Sequence, residues 1–211
     1  MSEREGLASF LLRHRSRLSP ELIAAFEATP RSEFVPGEWK ADAWSDQMVP
    51  IDCGEAIEGV GLQAMMLQAL GVEAGHRVLE VGTGSGYSAA LMARLAARVT
   101  TVERFRTLVE AAKRRFDQLA LASITLRHAD GSNGLHQNGP YDRIVTWCAF
   151  DTVPRAFADQ LATNGVMIAP IGGGDGEQDL VRLSKVGSRF EREDLARVRF
   201  QPVIRSIAAK L

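Results

Sequence analysis

Cysteine is scarce in this 211-residue chain: there are two, Cys53 and Cys148, and no Cys-x-x-Cys pair. A disulfide framework is therefore not expected, and two reduced thiols are the simpler reading. The four histidines, His14, His76, His128 and His136, show no ligand spacing, so no metal is expected. An excess of one charge is also missing. The 25 basic and 26 acidic residues leave a formal net charge of −1. A nucleic-acid binder usually carries a basic surplus, and Lys113-Arg114-Arg115 reads as a solvated helix face, so no nucleic-acid partner is expected. No apolar run approaches the roughly 18 residues of a membrane span. The stretch Met1 to Leu18 carries four arginines and no run that would serve as a secretory signal. The expectation is a cytoplasmic protein without membrane contact. There is no repeat at solenoid periods and no G-x-S-x-G elbow of a serine hydrolase. The sequence carries no signal for oligomeric state.

What is present is ordinary globular composition, 45% hydrophobic and 24% charged, at a length that suits one structural domain. Residues 1–53 read as an N-terminal helical and irregular extension, and 54–211 as the core. In the extension, Leu7, Phe10, Leu11 and His14 fall at helical spacing. Ser19-Pro20 reads as a helix start, with serine as the cap and proline at the first helical position. Residues 31–50 read as extended and irregular. After a helix over 62–70, strands and helices alternate: strand 77–81, helix 87–95, strand 99–102, helix 105–119, strand 124–127, strand 141–146, helix 153–161 and strand 166–170. Alternation of this kind implies a mainly parallel, doubly wound α/β sheet. Gly172-Gly173-Gly174-Asp175-Gly176 reads as a loop. Residues 179–186 and 193–203 read as two strands without a helix between them, an antiparallel edge.

The most informative stretch is Glu80-Val81-Gly82-Thr83-Gly84-Ser85-Gly86-Tyr87, which follows an apolar strand and opens a helix. Glycines there permit a sharp turn and close approach of a ligand to the main chain. The dinucleotide fingerprint G-x-G-x-x-G is not met, because the third glycine comes one residue early at Gly86. The G-x-G-x-G spacing resembles the first motif of class I methyltransferases, whose ligand is S-adenosylmethionine. Glu103 ends the next strand, about 20 residues on, where an acidic group accepts ribose hydroxyls. Asp130-Gly131 follows the third strand of the core, where this fold meets adenine. Glu103 also reads as a solvated strand end, and Asp-Gly as a plain turn.

The resemblance extends past the turn. Arg31-Ser32-Glu33-Phe34-Val35-Pro36, Ala43-Trp44-Ser45-Asp46, Val78 to Tyr87, Tyr141 to Thr146, Gly165 to Gly172, Gln178-Asp179-Leu180 and Val198 to Pro202 are similar, in order, to segments of the protein-L-isoaspartate O-methyltransferase family. It covers about residues 31–203. It implies a class I, Rossmann-like methyltransferase fold, S-adenosylmethionine as cofactor with S-adenosylhomocysteine as product, and damaged proteins or peptides as substrates. It also implies a cofactor site of Ile57, Glu80, Gly82, Thr83, Gly84, Ser85, Gly86, Glu103, Asp130 and Gly131. One loop departs from the family. Where the family has Gly-x-Thr-Ile-Ser, with threonine and serine at the substrate and cofactor, this chain has Gly54-Glu55-Ala56-Ile57-Glu58. The family's Thr-Ala-Ala-Pro after the fourth core strand is Thr146-Trp147-Cys148-Ala149.

Glu58 thus stands at the family's catalytic serine position. An ionised Glu58 would repel an isoaspartyl carboxylate by about 4 kcal/mol at about 4 Å and an effective dielectric of about 20. Glu58 is protonated, turned away, a base for another acceptor, or a surface charge. Three functions follow: isoaspartyl carboxyl methylation, methylation of another acceptor on the same scaffold, or cofactor binding without catalysis.

Overall fold

A capping box opens α1 (Glu3–His14): Ser2 Oγ accepts from the Glu5 amide, and Glu5 Oε2 accepts from the Ser2 amide at 2.9 Å. Ser19 caps α2 (Pro20–Glu27), its hydroxyl accepting from the Leu22 amide. The computed structural model describes residues 1–174, 176–187 and 189–208. Asp175, within the glycine-rich loop, Ser188 and residues 209–211 lie outside the described residues.

Residues 31–42 are not extended, as their prolines suggested, but form two 3-10 turns, Arg31–Phe34 and Gly37–Asp42. Pro30 and Pro36 each stand just before a turn, where a missing N–H costs nothing. A two-residue antiparallel pair follows, β1 (Val49–Pro50) with β2 (Ala56–Ile57). The core then runs α3 (Val60–Leu70), β3 (Arg77–Val81), α4 (Tyr87–Ala93), β4 (Arg98–Glu103), α5 (Arg106–Gln118), β5 (Ile124–His128) and β6 (Tyr141–Thr146). It ends in α6 (Arg155–Gln160), β7 (Leu161–Ile171), β8 (Gln178–Val186) and β9 (Arg189–Val198).

The seven-stranded sheet has the order β5-β4-β3-β6-β7-β8-β9. Its first five strands pair in parallel, and β8 and β9 add an antiparallel edge. The doubly wound, mainly parallel α/β fold is therefore as its alternation implied. Most bounds shift by one or two residues, and two strands differ by more. β7 begins at Leu161, before the expected Val166, because Leu161 already pairs with Tyr141 ahead of a register shift. β9 begins at Arg189 rather than Glu193 and ends at Val198 rather than Val203. Its first half is a charged run with no apolar alternation, which an edge strand tolerates because water solvates it. Arg192 pairs with Asp179 at 2.8 Å and Arg197 with the same carboxylate at 2.6 Å.

Neighbouring strand residues face opposite layers. Val78, Val145 and Ile168 pack with α3, α4 and the N-terminal helices, while Leu79, Ile144 and Met167 pack with Phe157 of α6. The N-terminal segment belongs to the first of these cores. The Phe10 ring centroid lies 4.7 Å from Phe26 and 5.5 Å from Trp44, and Phe34 meets Tyr87 edge-on at 5.3 Å. Each buried phenylalanine contributes about 1.5–3 kcal/mol of hydrophobic stabilisation. Through Tyr87 this packing braces the helix that starts at the glycine turn.

Candidate active site

From β3 the chain winds outward to β4 and β5, then crosses back to β6 on the other side. The crevice outside the carboxyl ends at such a reversal is where open α/β sheets bind ligands. A cleft of about 710 Å³ opens there, walled by Gly82 and Gly84 after β3, Glu103 to Phe105 after β4, Gly131 and Ser132 after β5, and Trp147 and Cys148 after β6. A smaller lobe of about 330 Å³ continues from it, and Ala56, Gly82, Gly84 and Trp147 line both. Residues 201–204 close the far side of the larger lobe.

The turn after β3 needs its glycines. Gly84 has φ +52°, and a Cβ there would stand at the cleft floor. Gly86 has φ +90°, and a Cβ would meet the Phe116 ring at 2.8 Å. The Gly84 amide donates to Glu103 Oε2 at 3.0 Å, and the Arg104 and Phe105 amides donate to Glu103 Oε1. A carboxylate fixed beside the turn repels a diphosphate and accepts hydroxyls. The cleft offers what an adenosine would need, a carboxylate acceptor at Glu103 and apolar walls such as Ala129 and Val203.

The expected site residues separate into three places. Gly82 and Gly84 line both lobes, and Glu103 and Gly131 the larger one. Ile57, Glu58, Thr83 and Ser85 line the smaller lobe. Glu80, Gly86 and Asp130 line neither. Glu80 is fully buried behind the turn, accepting from Ser88 Oγ, from Thr101 Oγ1 at 2.6 Å and from Trp147 Nε1 at 2.9 Å. Desolvation outweighs these bonds and raises its carboxyl to about 7. Asp130 accepts from the amides of Ser132 and Ser206, so it holds the C-terminal segment. Glu58 is partly buried, and burial raises its carboxyl to about 7 against the pull of Arg31.

Arg31 is itself fully buried. Its guanidinium donates to the carbonyls of Ala43 and Glu58 and to Gln63 Oε1, and it lies 4.5 Å from the centre of the Tyr87 ring. This cation was legible only as part of the Arg31 to Pro36 resemblance. Arg104, Phe105, Ser132, Val203 and Ile204 were not singled out as site residues, and Gln201 and Pro202 entered only as part of the Val198 to Pro202 resemblance. Among the described residues no group of histidines, cysteines and carboxylates is placed to hold a metal, and no helix is long and apolar enough to cross a membrane. Cys53 and Cys148 are both free thiols.

Sheet order, glycine turn, the carboxylate beside it and the cleft together define a class I, S-adenosylmethionine-dependent methyltransferase. The family model for protein-L-isoaspartate(D-aspartate) O-methyltransferase matches residues 2–208. The chain belongs to that family. Among its relatives, the protein-L-isoaspartate O-methyltransferase of Azorhizobium caulinodans is 43% identical, over 100% of this chain and 98% of its own. That of Rhizobium meliloti is 38% identical over 95% and 98%. A solved protein-L-isoaspartate O-methyltransferase superposes with TM-score 0.85 at 28% identity, covering 97% of this chain and 67% of its own. A Plasmodium falciparum chain in complex with S-adenosyl-L-homocysteine gives 0.82 at 21% identity, covering 97% and 99%, a likeness of fold.

Proposed function

We propose that this chain methylates the side-chain carboxylate of isoaspartyl residues in damaged proteins. The observation that carries this reading is the extent of the likeness. Relatives named for that activity match at 38–43% identity over 95–100% of the chain, the helical N-terminal segment and the C-terminal strands included. A shared cofactor fold alone would not produce a match of that length.

S-adenosylmethionine supplies a methyl group already activated on a sulfonium. The acceptor carboxylate is ionised near pH 7 and needs no general base. What remains for the chain's residues is proximity and orientation. Gly82 and Gly84 form the floor on which the cofactor lies, and Glu103 holds its ribose. The β1–β2 hairpin and Trp147 flank the junction of the two lobes, where an acceptor approaches. Residues 1–53 supply Arg31, which anchors the loop at Glu58 through that residue's carbonyl at 2.6 Å.

A second reading, a methyltransferase for another acceptor, is favoured by one observation: Ala56 and Glu58 put no hydroxyl on this loop. Methyl transfer from labelled S-adenosylmethionine to an isoaspartyl peptide, with the matched aspartyl peptide as control, tests both. Base-labile methyl ester on the isoaspartyl peptide alone is the expected result. Transfer to neither peptide, by protein that binds S-adenosylhomocysteine, would overturn the isoaspartyl reading.

A further inference from the structure

The smaller lobe holds a charge that the acceptor chemistry does not use. Among the residues lining it, Glu58 carries the single carboxyl. Among the described residues, its carboxyl oxygens take no hydrogen bond or ion pair; only its carbonyl is held, by Arg31. The nearby Glu80 carboxyl is already saturated by three donors and lines neither lobe. Four residues with buried hydroxyls also line the lobe: Thr83 and Ser88 are engaged with Thr101 and Glu80, the Tyr87 hydroxyl is enclosed without a partner among the described residues, and Ser85 faces the lobe.

We infer that Glu58 is the counter-ion of the cofactor's α-ammonium and holds the amino-acid end of S-adenosylmethionine in the smaller lobe. This rests on the methyltransferase reading and deepens it. An adenosine seated against Glu103 and Gly131 directs the rest of the molecule across Gly82 and Gly84, two of the four residues common to both lobes. Beyond the sulfonium lies a zwitterion, which needs an anion for its ammonium and uncharged donors for its carboxylate. Glu58 is that anion, and the Ser85 hydroxyl is such a donor. A half-buried carboxylate without a partner is costly, and an ammonium beside it removes the cost. The same pairing answers the conflict at the family's serine position. A Glu58 neutralised by the cofactor no longer repels an acceptor carboxylate at full strength.

The test is calorimetry of wild type and Glu58→Gln with two ligands, S-adenosylhomocysteine and 5′-methylthioadenosine, which lacks the amino-acid end. Glu58→Gln keeps the size of the side chain and removes its charge. The expected result is a loss of about 10- to 100-fold for S-adenosylhomocysteine, with affinity for methylthioadenosine unchanged. Equal weakening of both ligands would mean that Glu58 only shapes the loop, and unchanged affinity for both that it faces away; either overturns the inference. A wild type that binds neither ligand would overturn the methyltransferase reading itself, a separate outcome. Glu58→Ser, which places the family's residue there, repeats the test should Glu58→Gln fold poorly, and the same selective loss is expected.

Discussion

The indole Nε1 of Trp147 donates to Oε1 of Glu80 at 2.9 Å, joining the end of β6 to β3 directly behind the cofactor turn. Ser88 at the start of α4 and Thr101 in β4 donate to the same carboxyl, so one buried group gathers three elements that wall the cleft. Trp147→Phe keeps an aromatic wall and removes one donor. A hydrogen bond to a buried ionised group is worth about 1.5–3 kcal/mol. The loss is expected in urea denaturation at pH 8, where the carboxyl is charged, and to be smaller at pH 5, where it is protonated. An identical shift at both pH values would show that the indole N–H does not support the carboxylate.

Stability should fall as pH rises through neutrality. Burial lifts both Glu58 and Glu80 from 4.5 to about 7. Between those values the folded state holds protons that the unfolded chain has released. The contribution is complete below about pH 4.5 and lost as pH passes about 7. Glu58→Gln isolates one share without disturbing Glu80's donors. In ligand-free protein it should be near neutral at pH 4.5 and stabilising at pH 8 by about 1–2 kcal/mol, below the full linkage value of about 3 kcal/mol because Glu58 is partly exposed. Chemical denaturation across this range checks it, and a wild-type profile that rises with pH would contradict the assignment.

Much of this architecture was legible because its signals are local. The β-branched run at 99–102 and the Ser19-Pro20 start specify their elements within a few residues, and the glycine spacing before Tyr87 ruled out a dinucleotide turn. The β1–β2 pair escaped because two-residue strands carry no alternation. The start of β9 escaped because its charges satisfy an exposed edge rather than a core. Among candidate site residues, the place of Glu103 in the cleft was legible from its distance along the chain after the turn. The role of Trp147 was not, because it depends on Glu80, 67 residues away. The two backbone amides from which Asp130 accepts were not legible either, because only the folded chain brings Ser206 to it.

Glu103 braces the turn, and its proposed ribose contact is a second role that substitution can separate from the first. Its carboxylate accepts three backbone amides and faces the cleft. Glu103→Ala leaves those amides without their acceptor and removes the ribose contact. S-adenosylhomocysteine affinity should fall by about 1–3 kcal/mol, and ligand-free stability should fall as well. Glu103→Gln keeps one carbonyl acceptor, so calorimetry should give an intermediate affinity. An unchanged dissociation constant in Glu103→Ala would leave the residue a loop brace only.

The segment from Gln201 to Ala208 crosses the mouth of the cleft and is pinned along its length, at its end by the Ala208 amide donating to the Arg104 carbonyl at 3.1 Å. Val203 exchanges backbone hydrogen bonds through Ala149, whose amide donates to the Gln201 carbonyl at 2.9 Å while its carbonyl accepts from Val203 at 2.8 Å. The Ser206 amide donates to Asp130 Oδ2 at 2.7 Å, and Arg104 Nε donates to the Ser206 carbonyl. Burial alone would raise the Asp130 carboxyl, but the amides of Ser206 and Ser132 hold it below its ordinary value. Its contribution is therefore present above about pH 4 and lost as pH falls further. Asp130→Asn places an amide donor where the Ser206 N–H needs an acceptor, which should loosen the segment at Ser206 and leave the Val203 pairing and the Arg104 contacts in place. Hydrogen exchange at the Ser206 amide should quicken by about 10-fold or more. Because Pro202, Val203 and Ile204 line the larger lobe, S-adenosylhomocysteine should also dissociate faster, read by stopped-flow from the Trp147 emission. Faster exchange with an unchanged dissociation rate would show that the segment rests on the cleft without controlling release.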